Sequence, residues 1–339
     1  MLPTTTDISA SGLTYHELQV PGQPKRQYAM FVPANSTTTT TTMKTLMPLL
    51  LYLHGQGDAW PGNDAMQFDR LAVQNGFAVV YPKGLGDFGG TIRDDYIAWN
   101  VGLYDHGMAR ANATCYRGTT EGACYDSCIA AGTCSQCGWS TCHDDVAFIS
   151  ALVDALHMHG TDPRRTYLTG ASNGGMMVHH LARMLSHKFA AVAPVYGLPL
   201  VGFSELPSTR LPILQIHDRS DDTIPSEGGV SSDGWMYESL ATVLAGWGDA
   251  LGCSYSRRMV AVKTPWDGGK VRLQCQASRG CTAGPGGSSL TGPRSAAAPV
   301  VQCFFDGSHG DWPRHIEDLI WWFFEAQAGR GGASESDSL

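Results

Sequence analysis

Residues 170–174, Gly170-Ala171-Ser172-Asn173-Gly174, fit the pattern G-x-S-x-G. A serine hydroxyl becomes a nucleophile only when a histidine takes its proton. The histidine in turn needs a carboxylate to fix its tautomer and stabilise its cation. Both partners follow in chain order, acid first, as a serine on a strand-to-helix turn requires. His217-Asp218-Arg219-Ser220-Asp221-Asp222 supplies the acid, and Asp306-Gly307-Ser308-His309-Gly310 supplies a glycine-flanked histidine. The reading assigns Ser172, Asp221 and His309 as nucleophile, acid and base. Asp218, Asp222 and His315 stay open as alternatives, because loop aspartates often serve as turn or cap residues.

The chemistry also needs two donors aimed at the developing oxyanion. The backbone N–H of Asn173, directly after the nucleophile, is one. Leu53-His54-Gly55-Gln56-Gly57 follows an apolar run, and the Gln56 N–H is the expected second. His54 is expected to support that loop from a buried position. Trp99, Trp312 and Trp60 stand close in sequence to these pieces and are candidate substrate contacts, since indoles stack on sugars and aromatic acyl groups.

Short apolar runs must position these groups. Residues 49–53, 76–82, 166–169, 190–195, 213–216 and 300–305 have strand length, and runs apolar on both faces suit buried parallel strands. Helical patterns at 144–157, 175–185, 234–251 and 312–326 lie between or after them. The alternation predicts an α/β architecture, a mostly parallel sheet flanked by helices, with a Cys-rich loop insertion. Ser172 then falls between a strand and a helix. That turn is tight, so small residues flank the serine and its hydroxyl projects above the sheet.

Ten cysteines occur, with Cys115, Cys124, Cys128, Cys134, Cys137 and Cys142 in one group and Cys253, Cys275, Cys281 and Cys303 in another. An even set in loop-like sequence reads as disulfides made in an oxidising compartment, hence a secreted protein. Met1 to Ala10 lacks the regions of a signal peptide, so the cysteines carry that expectation. Cys134 and Cys137, with His143 near, have local zinc or redox spacing. No second well-spaced pair follows, and three disulfides are expected there instead. The second group would staple the excursion before the last strand, Cys253 with Cys275 and Cys281 with Cys303 being one way to do so.

The net charge of −8 argues against a nucleic-acid surface. No apolar run of membrane-spanning length occurs. A monomer with no nucleic-acid or membrane partner, no cofactor and no metal is expected. The threonine run at 35–45 reads as a loop open to O-glycosylation, and Asn35 and Asn112 begin N-glycosylation sequons. The organisation expected is an N-terminal segment 1–27, one catalytic domain 28–328 with the insertion at about 102–142, and a flexible tail 329–339. A Gly/Ser/Ala/Pro loop occupies 283–299.

Taken together, Leu53-His54-Gly55, Gly76-Phe77, Val80-Tyr81-Pro82, Trp99-Asn100, the stretches 144–149, 162–167 and 170–177, the His217 loop, and His309 with Trp312-Pro313 resemble one family. This is the esterase/depolymerase branch of the α/β-hydrolases, which holds feruloyl and acetylxylan esterases of carbohydrate esterase family 1 and poly(3-hydroxybutyrate) depolymerases. The resemblance runs from about Tyr28 to Phe324 and implies the α/β-hydrolase fold and the triad Ser172, Asp221 and His309. Asp218 stands where the family has glycine, and the cysteine-rich segment replaces a shorter loop. The function implied is a secreted serine carboxylic-ester hydrolase. Its substrate would be a polysaccharide-linked ester, feruloyl ahead of acetyl, with a polyester depolymerase as the alternative. A serine peptidase or a non-catalytic binding protein of the same fold are the rivals from other classes.

Overall fold

The computed structural model describes residues 4–8, 12–34, 46–61, 66–105, 108–109, 124–132, 140–203, 206–253, 260–262, 273–278, 281 and 299–328. The expected glycosylation sites at Asn35 and Asn112, the threonine run, most of the loop at 283–299 and the tail at 329–339 lie outside them.

An 11-stranded sheet forms the centre. In chain order its strands are β1 (Thr4–Ile8), β2 (Thr14–Leu18), β3 (Arg26–Phe31), β4 (Met47–Leu53), β5 (Ala78–Pro82), β6 (Thr161–Ala171), β7 (Ala191–Val195), β8 (Ile213–Asp218), β9 (Val260–Val262), β10 (Gln274–Ala277) and β11 (Val300–Phe305). Across the sheet they run β1-β2-β3-β5-β4-β6-β7-β8-β11-β10-β9. The middle, from β5 through β4, β6, β7 and β8 to β11, is parallel. Antiparallel strands flank it on both sides.

The helices are α1 (Met66–Asn75), α2 (Asp126–Ala131), α3 (Asp145–Met158), α4 (Asn173–Met184), α5 (Leu240–Ala250) and α6 (Ile316–Gln327). Strand alternation explains how both faces fill. On β4, Leu49, Leu51 and Leu53 join a core with Phe148, Ile149 and Leu152 of α3, Met177 and Leu181 of α4, and Leu244 of α5. Leu50 and Tyr52 face the other way, into a core with Phe68 and Leu71 of α1 and Leu319, Ile320 and Phe323 of α6. Each large apolar side chain removed from water in this way stabilises by about 1.5–3 kcal/mol. The parallel strands are therefore apolar on both sides, which is why they read as continuous apolar runs.

Capping chemistry sets the helix starts. Asp144 caps α3, its Oδ1 accepting the Ala147 N–H at 2.9 Å. The helix expected over 234–251 begins only at Leu240, where Ser239 accepts the Thr242 N–H at 3.1 Å. Before it, Gly234 has φ +89°, and Met236-Tyr237 pair as a ribbon with Gly229-Val230. Similarly, α6 starts at Ile316 rather than 312, after Pro313 and a left-handed His315 at φ 68°. Among the described residues, no helix is long and apolar enough to cross a membrane.

Cys128–Cys142, Cys253–Cys281 and Cys275–Cys303 are disulfides, and Cys124 is also disulfide-bonded. Cys115, Cys134 and Cys137 lie outside the described residues. The pairing sketched for the second group is corrected here. Cys275 and Cys303 are direct cross-strand partners in the β10–β11 register, so they join each other. Cys253, at the end of α5, is left for Cys281.

His179 on α4 is buried, and its Nε2–H donates to Gln215 Oε1 at 2.9 Å. Burial pulls the imidazole down from 6.5 to about 4. The unfolded chain therefore binds a proton there first as pH falls. The stabilisation is full above pH 6.5 and is lost on acidification toward pH 4. The stability advantage of the native protein over His179→Gln should shrink by about 2–3 kcal/mol between pH 7.5 and 4.5. Denaturant melts at the two pH values check this; a constant gap would contradict a neutral buried imidazole.

Candidate active site

The site lies beyond the C-terminal ends of the parallel strands, where an open α/β sheet presents its loops. Ser172 occupies the turn between β6 and α4 with φ 54° and ψ −121°. That left-handed backbone is strained for a residue with a side chain and marks a functional constraint. The Ser172 N–H donates to Val195 O at 3.0 Å, which ties the turn to β7. Gly174 is required by close approach. A Cβ there would lie 2.2 Å from Leu53 O and 2.5 Å from His54 O. The start of α4 can thus pass directly against the end of β4, which brings the Ser172 and Gln56 loops together.

Ser172 Oγ is 2.8 Å from His309 Nε2. On the other side of the ring, His309 Nδ1 is 2.8 Å from Asp221 Oδ2. The Asp221 side chain is fully buried and that of His309 is 19% exposed, so the histidine opens to solvent while the acid does not. Asp221 Oδ1 accepts the Thr223 N–H at 3.0 Å and the Ile224 N–H at 2.8 Å. One carboxylate oxygen is therefore held by backbone, and the other is free to face the imidazole. An acceptor at Nδ1 fixes the proton on that nitrogen and leaves Nε2 to accept from the serine.

The other candidates are placed elsewhere. Asp218 is buried, and its Oδ1 accepts the N–H groups of Ser220 at 3.2 Å and Gly307 at 3.1 Å. It braces the loop that carries His309. The Asp222 side chain is exposed. His315 is half-exposed and pairs with Asp318 at 3.0 Å on α6. His217, four residues before the acid and near the end of β8, is buried, and its Nε2–H donates to Ile224 O at 2.7 Å while sitting 3.7 Å from Asp221 Oδ2. Burial lowers the His217 pKa, so it acts as a neutral brace for the acid loop.

The loop that carries Gln56 and the start of α4 that carries Asn173 meet at the serine. Asn173 opens α4, where the first N–H groups of a helix have no intrahelical acceptor. Among the described residues, no group accepts from the Gln56 or Asn173 backbone N–H. Gly55 faces the nucleophile closely, since a Cβ on it would come within 3.4 Å of Ser172 Cβ. Asp58 Oδ2 accepts the Gly55 N–H at 2.7 Å, and Ile97 O accepts the Gly57 N–H at 2.8 Å. Beneath the loop, His54 Nδ1–H donates to Gly55 O at 2.7 Å while its Nε2 accepts the Gly84 N–H at 2.9 Å. Burial takes His54 down to about 4, so it stays neutral and supports the loop.

Trp99 is corrected as a substrate contact. It is wholly buried, its indole N–H donates to His54 O at 2.9 Å, and its backbone N–H donates to Asn173 Oδ1 at 2.7 Å. It is a brace between the Gln56 loop and the start of α4, with no face left for a ligand. Trp60 is half-buried against Tyr15, donates to Tyr81 O at 3.0 Å and carries Lys83 Nζ 5.0 Å over its ring. Trp312 packs edge-on to Tyr52 and Phe68. Tyr125 and Asp58 are not singled out by the sequence: Tyr125 acts through a tertiary contact with Gln56, and Asp58 through the short hydrogen bond to the Gly55 N–H.

The sheet order, with a strained serine at the strand-to-helix turn, defines the α/β-hydrolase fold. Among solved structures, the chain is similar to the acetyl xylan esterase from Aspergillus awamori, with a TM-score of 0.53, 14% identity, and 91% of this chain and 99% of that one covered. It is also similar to an S-formylglutathione hydrolase from Agrobacterium tumefaciens, with a TM-score of 0.50, 12% identity, and 96% and 100% covered. At such identities the likeness carries the fold alone. In sequence, the chain is similar to a bifunctional acetylxylan esterase/xylanase of Neocallimastix patriciarum, 27% identical over 180 residues, 52% of this chain and 20% of that protein. The chain spans 20–25% of the length of the curated relatives it matches. No family model matches.

Proposed function

We propose that the chain is a secreted serine carboxylic-ester hydrolase that removes acyl groups from polysaccharide esters. The observation that carries the reading is the relay from Ser172 Oγ to His309 Nε2 and from His309 Nδ1 to Asp221, each step 2.8 Å. Disulfides such as Cys128–Cys142 and Cys275–Cys303 support an oxidising compartment.

In the first half-reaction, the Ser172 oxygen attacks the ester carbonyl carbon and its proton passes to His309 Nε2. The new oxyanion is held by the N–H groups of Gln56 and Asn173. Asp221, acceptor of the Nδ1 proton, stabilises the imidazolium. Collapse breaks the C–O bond, and the imidazolium gives its proton to the departing alcohol. Water then attacks the acyl-serine, its proton going to His309, and the carboxylic acid leaves as Ser172 recovers its proton.

Acetyl is placed ahead of feruloyl. The matched relative is named for acetylxylan, and burial of Trp99 removes one of the indoles that would grip an aromatic acyl group. Polyester hydrolysis is the alternative within the same chemistry. Initial rates on acetylated xylan, p-nitrophenyl acetate, methyl ferulate, a 3-hydroxybutyrate oligomer and a peptide amide test the reading. The expected order is acetyl esters first, methyl ferulate next, the oligomer slower and the peptide uncleaved. Cleavage of the peptide with no ester turned over would overturn it in favour of a peptidase.

A further inference from the structure

Among the described residues, the side chain of the cysteine-rich excursion that meets Gln56 is Tyr125. Tyr125 precedes α2, is wholly buried, and its phenol oxygen accepts the Gln56 Nε2–H at 3.3 Å. Among the described residues, it is the hydrogen-bond partner of the Gln56 side chain. The support behind Tyr125 is dense. Its carbonyl closes the first turn of α2, accepting from Cys128 N at 2.9 Å and Ile129 N at 3.0 Å. Cys128 is bonded to Cys142, and the Cys142 N–H donates to Ser127 Oγ at 3.1 Å. The Ser127 N–H donates to Asp87, which also pairs with His143 at 3.1 Å, and the Gly90 N–H donates to Asp126 at 2.7 Å. Phe88 packs edge-on to the Tyr125 ring.

We propose that Tyr125, with the α2 segment and the Cys128–Cys142 disulfide behind it, is a positioning device for the oxyanion loop, acting through the Gln56 side chain to aim the Gln56 backbone N–H. The inference rests on the esterase reading. The backbone on either side of Gln56 is anchored by Asp58 and Ile97, and among the described residues Tyr125 is what holds residue 56 itself sideways. Small errors in donor placement cost rate because an oxyanion donor works by preorganisation. Tyr125 makes no contact with the reacting atoms, so it is a positioning residue. Burial raises its phenol to about 12, so it stays neutral and its effect is the same at every working pH.

The test compares wild type, Tyr125→Phe, Gln56→Ala and the double variant. Two readouts are used: kcat and KM on p-nitrophenyl acetate, and the rate at which a fluorophosphonate labels Ser172. In the labelling step, the Ser172 oxygen bonds to phosphorus, the P–F bond breaks, fluoride leaves and the serine proton passes to His309. Phenylalanine keeps the buried ring and deletes only the hydroxyl. Each single variant should lose about tenfold in kcat and in labelling rate, with KM within about twofold and the shape of the pH profile unchanged. The double variant should lose no more than the worse single one, because the two side chains form one device.

Wild-type rates in Tyr125→Phe, multiplied losses in the double variant, or a change confined to KM would overturn the proposal. If Tyr125→Phe melts early, Gln56→Ala decides, since it alters a half-exposed side chain and keeps the N–H. Failure of the esterase reading is separate: there, the wild type itself would leave Ser172 unlabelled.

Discussion

Ser172→Ala should lower kcat on every ester by at least about a thousandfold while the protein stays folded. Ser172 Oγ is the atom that the relay addresses, with Nε2 of His309 2.8 Å away. Removing it leaves the Gln56 and Asn173 donors and the substrate-binding surface in place, so residual turnover by water is expected, as for other triads lacking a member. The effect on stability is expected to be small. At φ 54° the serine backbone is strained, and alanine is strained equally, so no relief follows from the exchange. The melting temperature should therefore stay close to wild type. Unchanged kcat in a folded variant would remove the serine from the mechanism.

The second large effect separates the three acids. Asp221→Asn should cost about three to four orders of magnitude in kcat. Thr223 and Ile224 N–H groups hold Oδ1, so the new amide NH2 must face His309. A donor there forces the ring proton onto Nε2, where it can no longer accept from Ser172. Asp218→Asn keeps an acceptor for the Ser220 and Gly307 N–H groups and should stay within about tenfold of wild type. Asp222→Asn, on an exposed side chain, should be near wild type. Parallel kinetics on the three variants, with circular dichroism to confirm folding, check the order. A larger loss in Asp218→Asn than in Asp221→Asn would move the acid.

Much of the arrangement could be read from the chain because local pattern and position agree there. The parallel strands are buried on both faces, so residues 49–53, 213–216 and 300–305 announce themselves as apolar runs. Ser172 sits between a strand and a helix with glycine at 170 and 174, and Gly174 is fixed by the Leu53 and His54 carbonyls. His309 follows the last strand in a glycine-flanked loop. Legibility ends where tertiary contact decides. Asp218 at the end of β8 and Asp221 and Asp222 just after it look alike in sequence, and the 2.8 Å contact between Asp221 Oδ2 and His309 Nδ1 is what distinguishes Asp221. Four cysteines allow three pairings, and the β10–β11 register chooses one. Trp99 looked like a stacking residue because an indole is identical in sequence whether it lines a cleft or braces a loop. The apolar residues Trp235, Met236 and Tyr237 extend the helical pattern toward 234, whereas a positive φ at Gly234 and the ribbon at 236–237 start the helix only at Leu240. Tyr125 sits among irregularly spaced cysteines, and nothing near it in sequence points to Gln56.

Ester hydrolysis by Ser172 passes through a covalent acyl-serine, and trapping that intermediate is the most direct measurement. The protein is mixed with p-nitrophenyl acetate, quenched in acid within the first turnovers, digested and mapped by mass spectrometry. The account predicts one added acetyl group on the peptide that carries Ser172, appearing with a burst of p-nitrophenol and absent from Ser172→Ala. Turnover with no acetyl on that peptide, or with the group on another residue that Ser172→Ala also acquires, would contradict it.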